Sequence, residues 1–181
     1  GAESHSVWRP DGRAIAVYAK RAEASGIYLK DLGGQEHLVL RDDKGAAPVP
    51  ESFSPDGAVL AYTRTQGAQH SIWLLTLGEK PVARPLTSAT ALEYSPKFSP
   101  DGRWLAYVVG QQEGSEVYVR GYPSGEPIPV SSSGGVGPVW SRDGRTLFYE
   151  SAQSGVRTLM SVPVSVDGST LKLGAPSRVV S

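Results

Sequence analysis

The sequence predicts an all-β fold, a β-propeller of four four-stranded antiparallel blades, and three observations support it. One segment recurs four times, at spacings of 45, 45 and 42 residues. An aromatic residue or methionine, within an alternating apolar segment, lies 17 residues after the aspartate of each copy. The 21 glycines and 14 prolines make 35 of the 181 residues, or about 19%. The average usage of these two residues together is roughly 12%. The excess indicates many turns, and the repeat predicts one blade for each copy.

The recurring segment joins an aromatic residue to a tight turn and a second strand. Its copies are WRPDGRAIAVYA from Trp8, FSPDGAVLAYT from Phe53, FSPDGRWLAYV from Phe98 and WSRDGRTLFYE from Trp140. Proline presets φ near −65°, aspartate can accept a hydrogen bond from a following backbone N–H, and glycine adopts positive φ. The segment therefore predicts a hairpin that begins immediately after the aromatic residue.

The second strand of each copy alternates between two faces. One face carries Ile15, Leu60, Leu105 and Leu147, followed by Val17, Tyr62, Tyr107 and Tyr149. The other face carries Ala16, Ala61, Ala106 and Phe148. Three alanines in one column indicate a close approach between neighbouring sheets.

The third and fourth strands follow at constant offsets. The third is predicted at 26–32, 71–77, 116–122 and 158–164, and the fourth at 36–40, 83–87, 128–131 and 176–181. Residues 16–24 contain good helix formers, but register with the other copies places 20–25 in the loop between strands two and three. The predicted domain is 1–181, with blades at approximately 4–42, 49–88, 94–132 and 136–181.

Charge and composition argue against several classes of partner. The 18 Lys and Arg balance 18 Asp and Glu, so the chain lacks the basic excess typical of nucleic-acid binders, and we expect no nucleic-acid partner. No window approaches the roughly 18 consecutive apolar residues of a transmembrane helix, so we expect no membrane insertion. The absence of cysteine removes disulfides, thiolate metal sites and a cysteine nucleophile.

The turn SPDG, followed by an (I/L)A(F/Y) strand and an IY or IW strand, resembles the WD-like repeats of TolB-type bacterial β-propellers. The resemblance covers nearly the whole chain, with departures at Arg9, Arg142 and Met160. It implies an interaction platform for protein partners, and an extracytoplasmic location with the periplasm favoured. Related blades form the gating domain of prolyl-oligopeptidase-like hydrolases. The longer tail of the fourth copy is similar to the final blade of multi-domain bacterial regulatory proteins, which implies a fragment of a larger chain.

No catalytic constellation accompanies the repeat, and we expect no enzyme activity, no cofactor and no metal. The four repeat aspartates, Asp11, Asp56, Asp101 and Asp143, precede glycine in a turn and are interpreted as turn formers. The segment 42–45 lacks the ligand spacing of a calcium loop. The three histidines, His5, His37 and His70, occupy non-equivalent positions. The aromatic columns are interpreted as packing between blades.

Candidate binding residues lie where each loop enters an innermost strand, because these positions vary while the framework repeats. They are Glu3, His5, Glu51, Glu93, Tyr94, Lys97 and Val139. Three glutamates against one lysine favour a cationic or polar partner. The predicted function is a non-catalytic platform for a protein or peptide. The alternatives are an accessory domain of a serine-peptidase-like hydrolase and small-ligand binding in the central channel.

The sequence leaves the closure of the ring open. Four complete blades could form a small ring, or remain a fragment of a larger propeller. A half ring could also pair into a larger one, as a homodimer joined through the terminal blades.

Overall fold

The fold is all-β, as predicted from the repeat. The computed structural model describes residues 2–42, 45–87, 92–111, 114–153 and 156–179, with the side chains of 2–4, 152 and 153 outside that description. Seventeen strands and no helix occur in these ranges. They form four antiparallel sheets in sequence order, so each copy of the repeat builds one sheet.

The first two sheets are simple four-stranded meanders. Sheet 1 contains β1 (Ala2–Trp8), β2 (Ala14–Lys20), β3 (Gly26–Asp31) and β4 (Glu36–Arg41). Sheet 2 contains β5 (Val49–Phe53), β6 (Val59–Gln66), β7 (Gln69–Thr76) and β8 (Val82–Pro85). Residues 21–25 connect β2 to β3 without a helix, because pairing between the strands overrides the local helix propensity.

The third and fourth sheets repeat this order. Sheet 3 contains β9 (Leu92–Phe98), β10 (Trp104–Gln111), β11 (Gly114–Gly121) and β12 (Ile128–Pro129). Sheet 4 contains β13 (Val136–Trp140), β14 (Thr146–Gln153), β15 (Val156–Asp167), β16 (Thr170–Leu173) and β17 (Ser177–Arg178).

Sheet 4 corrects one prediction from the sequence. A single fourth strand was expected at 176–181, whereas two short strands share the edge of β15, and residues 180 and 181 lie outside the described ranges. Strand β16 pairs with the end of β15 from Val164 onward, and β17 pairs with Met160 and Ser161. The cause is an Asp-Gly turn at 167–168, where Gly168 has a φ of 60° and folds the chain back as a hairpin.

The chain divides into two compact units, 1–96 and 97–181. In the first unit, sheets 1 and 2 bury Ala16 and Ile27 together with Phe53, Leu60 and Tyr62. The core of the second unit is formed by side chains of sheets 3 and 4: Trp104, Ala106, Val117, Val119, Val130, Leu147, Tyr149, Val162, Val164 and Leu171. In β10 the five residues from Trp104 to Val108 are all buried, so both faces of this strand are covered.

The repeated turns have the local structure that their residues predict. In each turn the aspartate Oδ1 accepts a hydrogen bond from the backbone N–H two residues later, at 2.9 to 3.1 Å; the pairs are Asp11 with Arg13, Asp56 with Ala58, Asp101 with Arg103, and Asp143 with Arg145. The following glycines have φ values of 69° or 70°. These aspartates therefore shape turns, as interpreted from the sequence.

Candidate functional site

The innermost strands are bulged where the candidate binding residues lie. The register of β1 shifts between Ser4 and Ser6, and that of β5 shifts between Pro50 and Ser52. Each bulge leaves one residue without a partner position on the next strand, and these residues are His5 and Glu51. Bulges re-aim side chains and are frequent next to functional sites.

A left-handed backbone recurs three residues before the aromatic residue of the repeat. The φ values are 52° at His5, 54° at Ser95 and 61° at Gly137. The second copy has Pro50 at this position, whose ring fixes φ near −65°, and its bulge falls on Glu51 instead. Of these residues only Gly137 is of a type that readily adopts positive φ, so the left-handed backbone could not be predicted from the sequence for His5 or Ser95.

A buried threonine joins two of the candidate segments in the first unit. Thr63 Oγ1 donates a hydrogen bond to Glu51 Oε1 at 3.4 Å and accepts one from the Ser95 backbone N–H at 3.3 Å. Strand β6 thereby connects Glu51 on β5 with the segment of β9 that contains Glu93 and Tyr94. We call Glu51, Thr63, His70, Tyr94 and Ser95 the Tyr94 cluster.

His70 completes this cluster, although its position in the repeat gave no reason to include it. The rings of His70 and Tyr94 have their centroids 6.0 Å apart, at an interplanar angle of 58°. The His70 Nδ1 lies 3.0 Å from Thr65 Oγ1, and this hydrogen bond fixes the imidazole ring. Thr63 and His70 were both missed because they come from the second and third strands, not from the loops that the repeat marks as variable.

The other candidate binding residues lie outside the Tyr94 cluster. His5 is exposed in the bulge of β1, and Glu3 lies in the same strand with its side chain outside the described part. In the second unit, the Lys97 carbonyl accepts a hydrogen bond from Trp140 Nε1 at 3.0 Å. Val139, next to Trp140, is exposed. The structure therefore groups Glu51 with the β9 segment, and Lys97 with the residue that follows Val139.

The first aromatic column is not uniform. Phe53 and Phe98 are 6% and 7% exposed, whereas Trp8 is 60% exposed. The packing role interpreted from the sequence therefore holds for the second and third members and is wrong for Trp8.

The described ranges contain neither a metal-binding cluster nor a helix that could cross a membrane. No group of three or more histidine, aspartate or glutamate side chains there is arranged to hold a metal ion; Asp43 and Lys44 of the loop that was compared with a calcium site lie outside them. No helix in the same ranges has the length and apolar character needed to cross a membrane.

Four meander sheets, each opened by the same aspartate-glycine turn, define the class of β-propeller modules. Within that class the chain belongs to the TolB beta propeller domain family, whose model matches residues 5–175. A comparison with curated proteins gave no significant match.

Solved structures share the fold at low sequence identity. TolB from Acinetobacter baumannii matches with a TM-score of 0.75 and 19% identity, over 95% of this chain and 43% of that protein. A TolB-like protein of Agrobacterium tumefaciens gives 0.69 and 16%, over 97% of this chain and 81% of that protein. A prolyl endopeptidase gives 0.64 and 17%, over 95% of this chain and 28% of the enzyme. The chain thus spans less than half of the Acinetobacter TolB.

Proposed function

We propose that this propeller module is non-catalytic and binds a protein or peptide through its bulged innermost strands and their entry loops. The observation that carries the proposal is the Tyr94 cluster, in which an acidic and an aromatic side chain are held by a buried hydroxyl and a neighbouring ring. Variable side chains on a rigid, repeated scaffold are a common way to build recognition surfaces. Aromatic residues are also enriched among the residues that dominate binding energy.

The proposed binding positions are Glu3, His5, Glu51, Glu93 and Tyr94 in the first unit, and Lys97 and Val139 in the second. Three carboxylates against one ammonium favour a basic or polar segment of the partner, because complementary charge steers association. Tyr94 is half-buried beside His70, and an aromatic anchor of this kind loses little conformational entropy on binding.

Site-specific crosslinking in cells that produce the protein tests the proposal. A photo-reactive amino acid in place of Tyr94 should give one discrete crosslinked product, and Glu51→Lys should remove it by reversing the charge beside the site. Leu32, which is exposed in the turn between β3 and β4, provides the control position. The same product from both positions, or a product that survives Glu51→Lys, would contradict the proposal.

A second candidate function is an accessory domain of a serine-peptidase-like hydrolase. Its support is the structural likeness to a prolyl endopeptidase, a likeness of fold alone. The full reading frame separates the two functions: an adjoining hydrolase domain, with peptide cleavage by the purified product, would favour the accessory role. Small-ligand binding in the central channel remains a third proposal, to be tested by calorimetry with sugars and divalent ions.

We also propose an extracytoplasmic location and self-association through the terminal blades. Trp8 is 60% exposed, whereas Phe53 and Phe98, at the same position of the repeat, are buried. This exposure supports a second copy of the chain that covers Trp8. Light scattering should then give twice 19.2 kDa, and Trp8→Ser should return the mass to a single chain. Fractionation of the producing cells tests the location.

A further inference from the structure

In the described part of the chain, three arginines lie over aromatic rings, and one of them differs from the other two. Arg21 lies over Tyr28 at 4.2 Å, Arg64 over Trp73 at 4.9 Å, and Arg103 over Trp104 at 5.9 Å. All three are cation–π contacts, in which the ring holds the cation without using its N–H donors.

The donors of Arg21 and Arg103 are engaged within the protein. Arg21 Nη1 forms an ion pair with Glu36 Oε2 at 2.6 Å, and Arg103 Nη2 donates to the Gly168 carbonyl at 2.7 Å. Within the described ranges, Arg64 has neither a carboxylate nor a carbonyl acceptor; its contact is with Trp73. A guanidinium carries five N–H donors in a planar fork that matches a carboxylate.

Arg64 lines a cavity of about 180 Å³ in the first unit. The lining includes Leu40, Arg41 and Asp42, from the end of β4 and the residue after it, and Tyr62, Arg64 and Trp73 from β6 and β7. An apolar cavity of about 150 Å³ is large enough for benzene, so this one has room for a molecule of about six to eight heavy atoms. A second cavity, of about 260 Å³, also has Arg64 and Trp73 in its wall.

The polar groups of the wall favour an anion. Among the described residues of the wall, Arg64 brings a guanidinium and Asp42 a carboxylate. The Asp42 oxygens already accept hydrogen bonds from the Ala46 and Ala47 backbone N–H groups and from the Tyr18 hydroxyl, at 2.7 to 3.2 Å. The Asp42 carboxylate therefore accepts hydrogen bonds from its own loop and from Tyr18, and the N–H donors of Arg64 are left for an anionic ligand.

The aromatic part of the wall excludes water from one side of the cavity. Tyr62 is buried, and this burial raises the pKa of its hydroxyl to about 12, so the phenol is neutral at physiological pH. Trp73 Nε1 donates to Ser71 Oγ at 3.0 Å, which holds the indole beneath Arg64. A charge-assisted hydrogen bond to Arg64 would thus form against a partly desolvated wall, where it is stronger than in water.

We propose that this cavity, between β4 and the face of β6 and β7, binds a small aliphatic carboxylate through a bidentate contact with Arg64. The acyl chain would lie against Trp73 and Leu40, with Arg41 at the cavity wall. The site is independent of the proposed partner surface, because it is built from different side chains.

Titration of the 181-residue chain with sodium succinate tests this site. The indole N–H resonance of Trp73, assigned through Trp73→Phe, should shift and saturate, while sodium chloride at equal ionic strength should not reproduce the shift. Arg64→Gln should weaken binding by about tenfold or more, as expected for the loss of a charge-assisted hydrogen bond. The matched control is Arg21→Gln, which removes a stacked arginine whose donors Glu36 already occupies and should leave the affinity unchanged.

Two further comparisons separate charge from geometry. Arg64→Lys keeps the charge but loses the fork, so the affinity should fall below that of the wild type. Succinamide has the size of succinate without its charge and should not bind; this comparison needs no variant, and it decides the question if Arg64→Gln does not fold. Absence of a saturable shift, equal binding of succinamide, or unchanged affinity in folded Arg64→Gln would overturn the proposal.

Discussion

The first repeated turn and the other three share a backbone but not a side-chain network. In sheets 2, 3 and 4 the turn begins with a serine whose hydroxyl donates to the aspartate Oδ1 and accepts the N–H five residues later; these serines are Ser54, Ser99 and Ser141. Sheet 1 has Arg9 there, with its Nε 3.6 Å from Asp11 Oδ2. The backbone bonds are nevertheless equivalent, with Arg9 N–H to the Ala14 carbonyl at 2.8 Å.

The difference shows that the aspartate and glycine are sufficient for the turn, while the serine satisfies the first N–H of the second strand. Arg9 provides a different contact. A Cβ added to Gly57, in the turn of sheet 2, would lie 2.9 Å from Arg9 Nε. The first turn therefore replaces a local hydroxyl bond by a contact with the next turn along the chain.

Removing a serine from a standard turn should have the largest effect. Ser99 is buried, and Ser99→Ala leaves the Trp104 N–H and the Asp101 carboxylate without their hydroxyl partner. We expect a loss of about 1–3 kcal/mol in the free energy of unfolding, measured with urea. Ser132→Ala, at an exposed turn, is the control and should stay within about 0.5 kcal/mol of the wild type. Equal effects of the two substitutions would show that the hydroxyl network contributes nothing.

The contact between the first two turns predicts unequal effects at equivalent glycines. Gly12 and Gly57 both have a φ of 69°, but a Cβ meets no atom within 4 Å at Gly12. Gly12→Ala should cost about 1–2 kcal/mol for the left-handed backbone alone, and Gly57→Ala should cost more because Arg9 must move. A double-mutant cycle with Arg9→Ser measures the coupling between the two turns. Zero coupling would show that Arg9 yields without resistance.

Converting the first turn to the standard type should have a smaller effect of opposite sign. Arg9→Ser would place a hydroxyl between Asp11 and the Ala14 N–H, as in the other turns. We expect a gain of about 0.5–1.5 kcal/mol from the added hydrogen bonds, reduced by the lost contact over Gly57. Thermal unfolding of the variant checks the sign, and a lower melting temperature would mean that the contact with Gly57 is the stronger of the two.

The smallest effect is expected on the pH dependence of stability that comes from Asp56. The Ser54 hydroxyl and the Ala58 N–H hold the pKa of Asp56 below its ordinary value, so its contribution to stability is complete above about pH 4 and disappears as pH falls through the lower, folded-state pKa. In Ser54→Ala the pKa of Asp56 in the folded protein should approach its value in the unfolded chain. The melting temperature should then depend less on pH below about pH 4. An unchanged slope below pH 4 would contradict the role of the hydroxyl.

A second acid-sensitive group provides a reference for that measurement. Arg21 and Lys30 lower the pKa of Glu36 to about 2, so its contribution is lost as pH falls from about 4.5 toward 2. Because Glu36 does not contact Ser54, its part of the pH dependence should persist in Ser54→Ala. Glu36→Gln should remove that part alone.

Most of the fold could be predicted because its signals are local. The turn after Trp8, Phe53, Phe98 or Trp140 is held by hydrogen bonds that span two to five residues, and the strands follow from alternation at period two. The prediction was wrong at the end of the chain, where two strands share the edge of β15. There the repeat no longer provides a register, and only pairing with β15 decides which segments become strands.

The candidate site could be predicted only in part. The variable positions before each aromatic residue include Glu51 and Tyr94, which the structure connects through Thr63 and Ser95. Nothing in the sequence marks Thr63 or His70, because their role depends on neighbours in other strands. The positive φ of Ser95 is likewise invisible, since serine, unlike glycine, has no preference for that backbone region.

The sequence by itself determined the number of blades, the position of the repeated turns and the alternation of side chains between the two faces of the second strand. These depend on interactions within a few residues, which composition and spacing express directly. Only the tertiary structure decided that Arg64 lies over Trp73 beside a cavity, that Arg9 reaches the turn of Gly57, and that Trp8 is exposed. These contacts join residues of different strands, and packing chooses them because no local periodicity specifies which side chains of two sheets will meet.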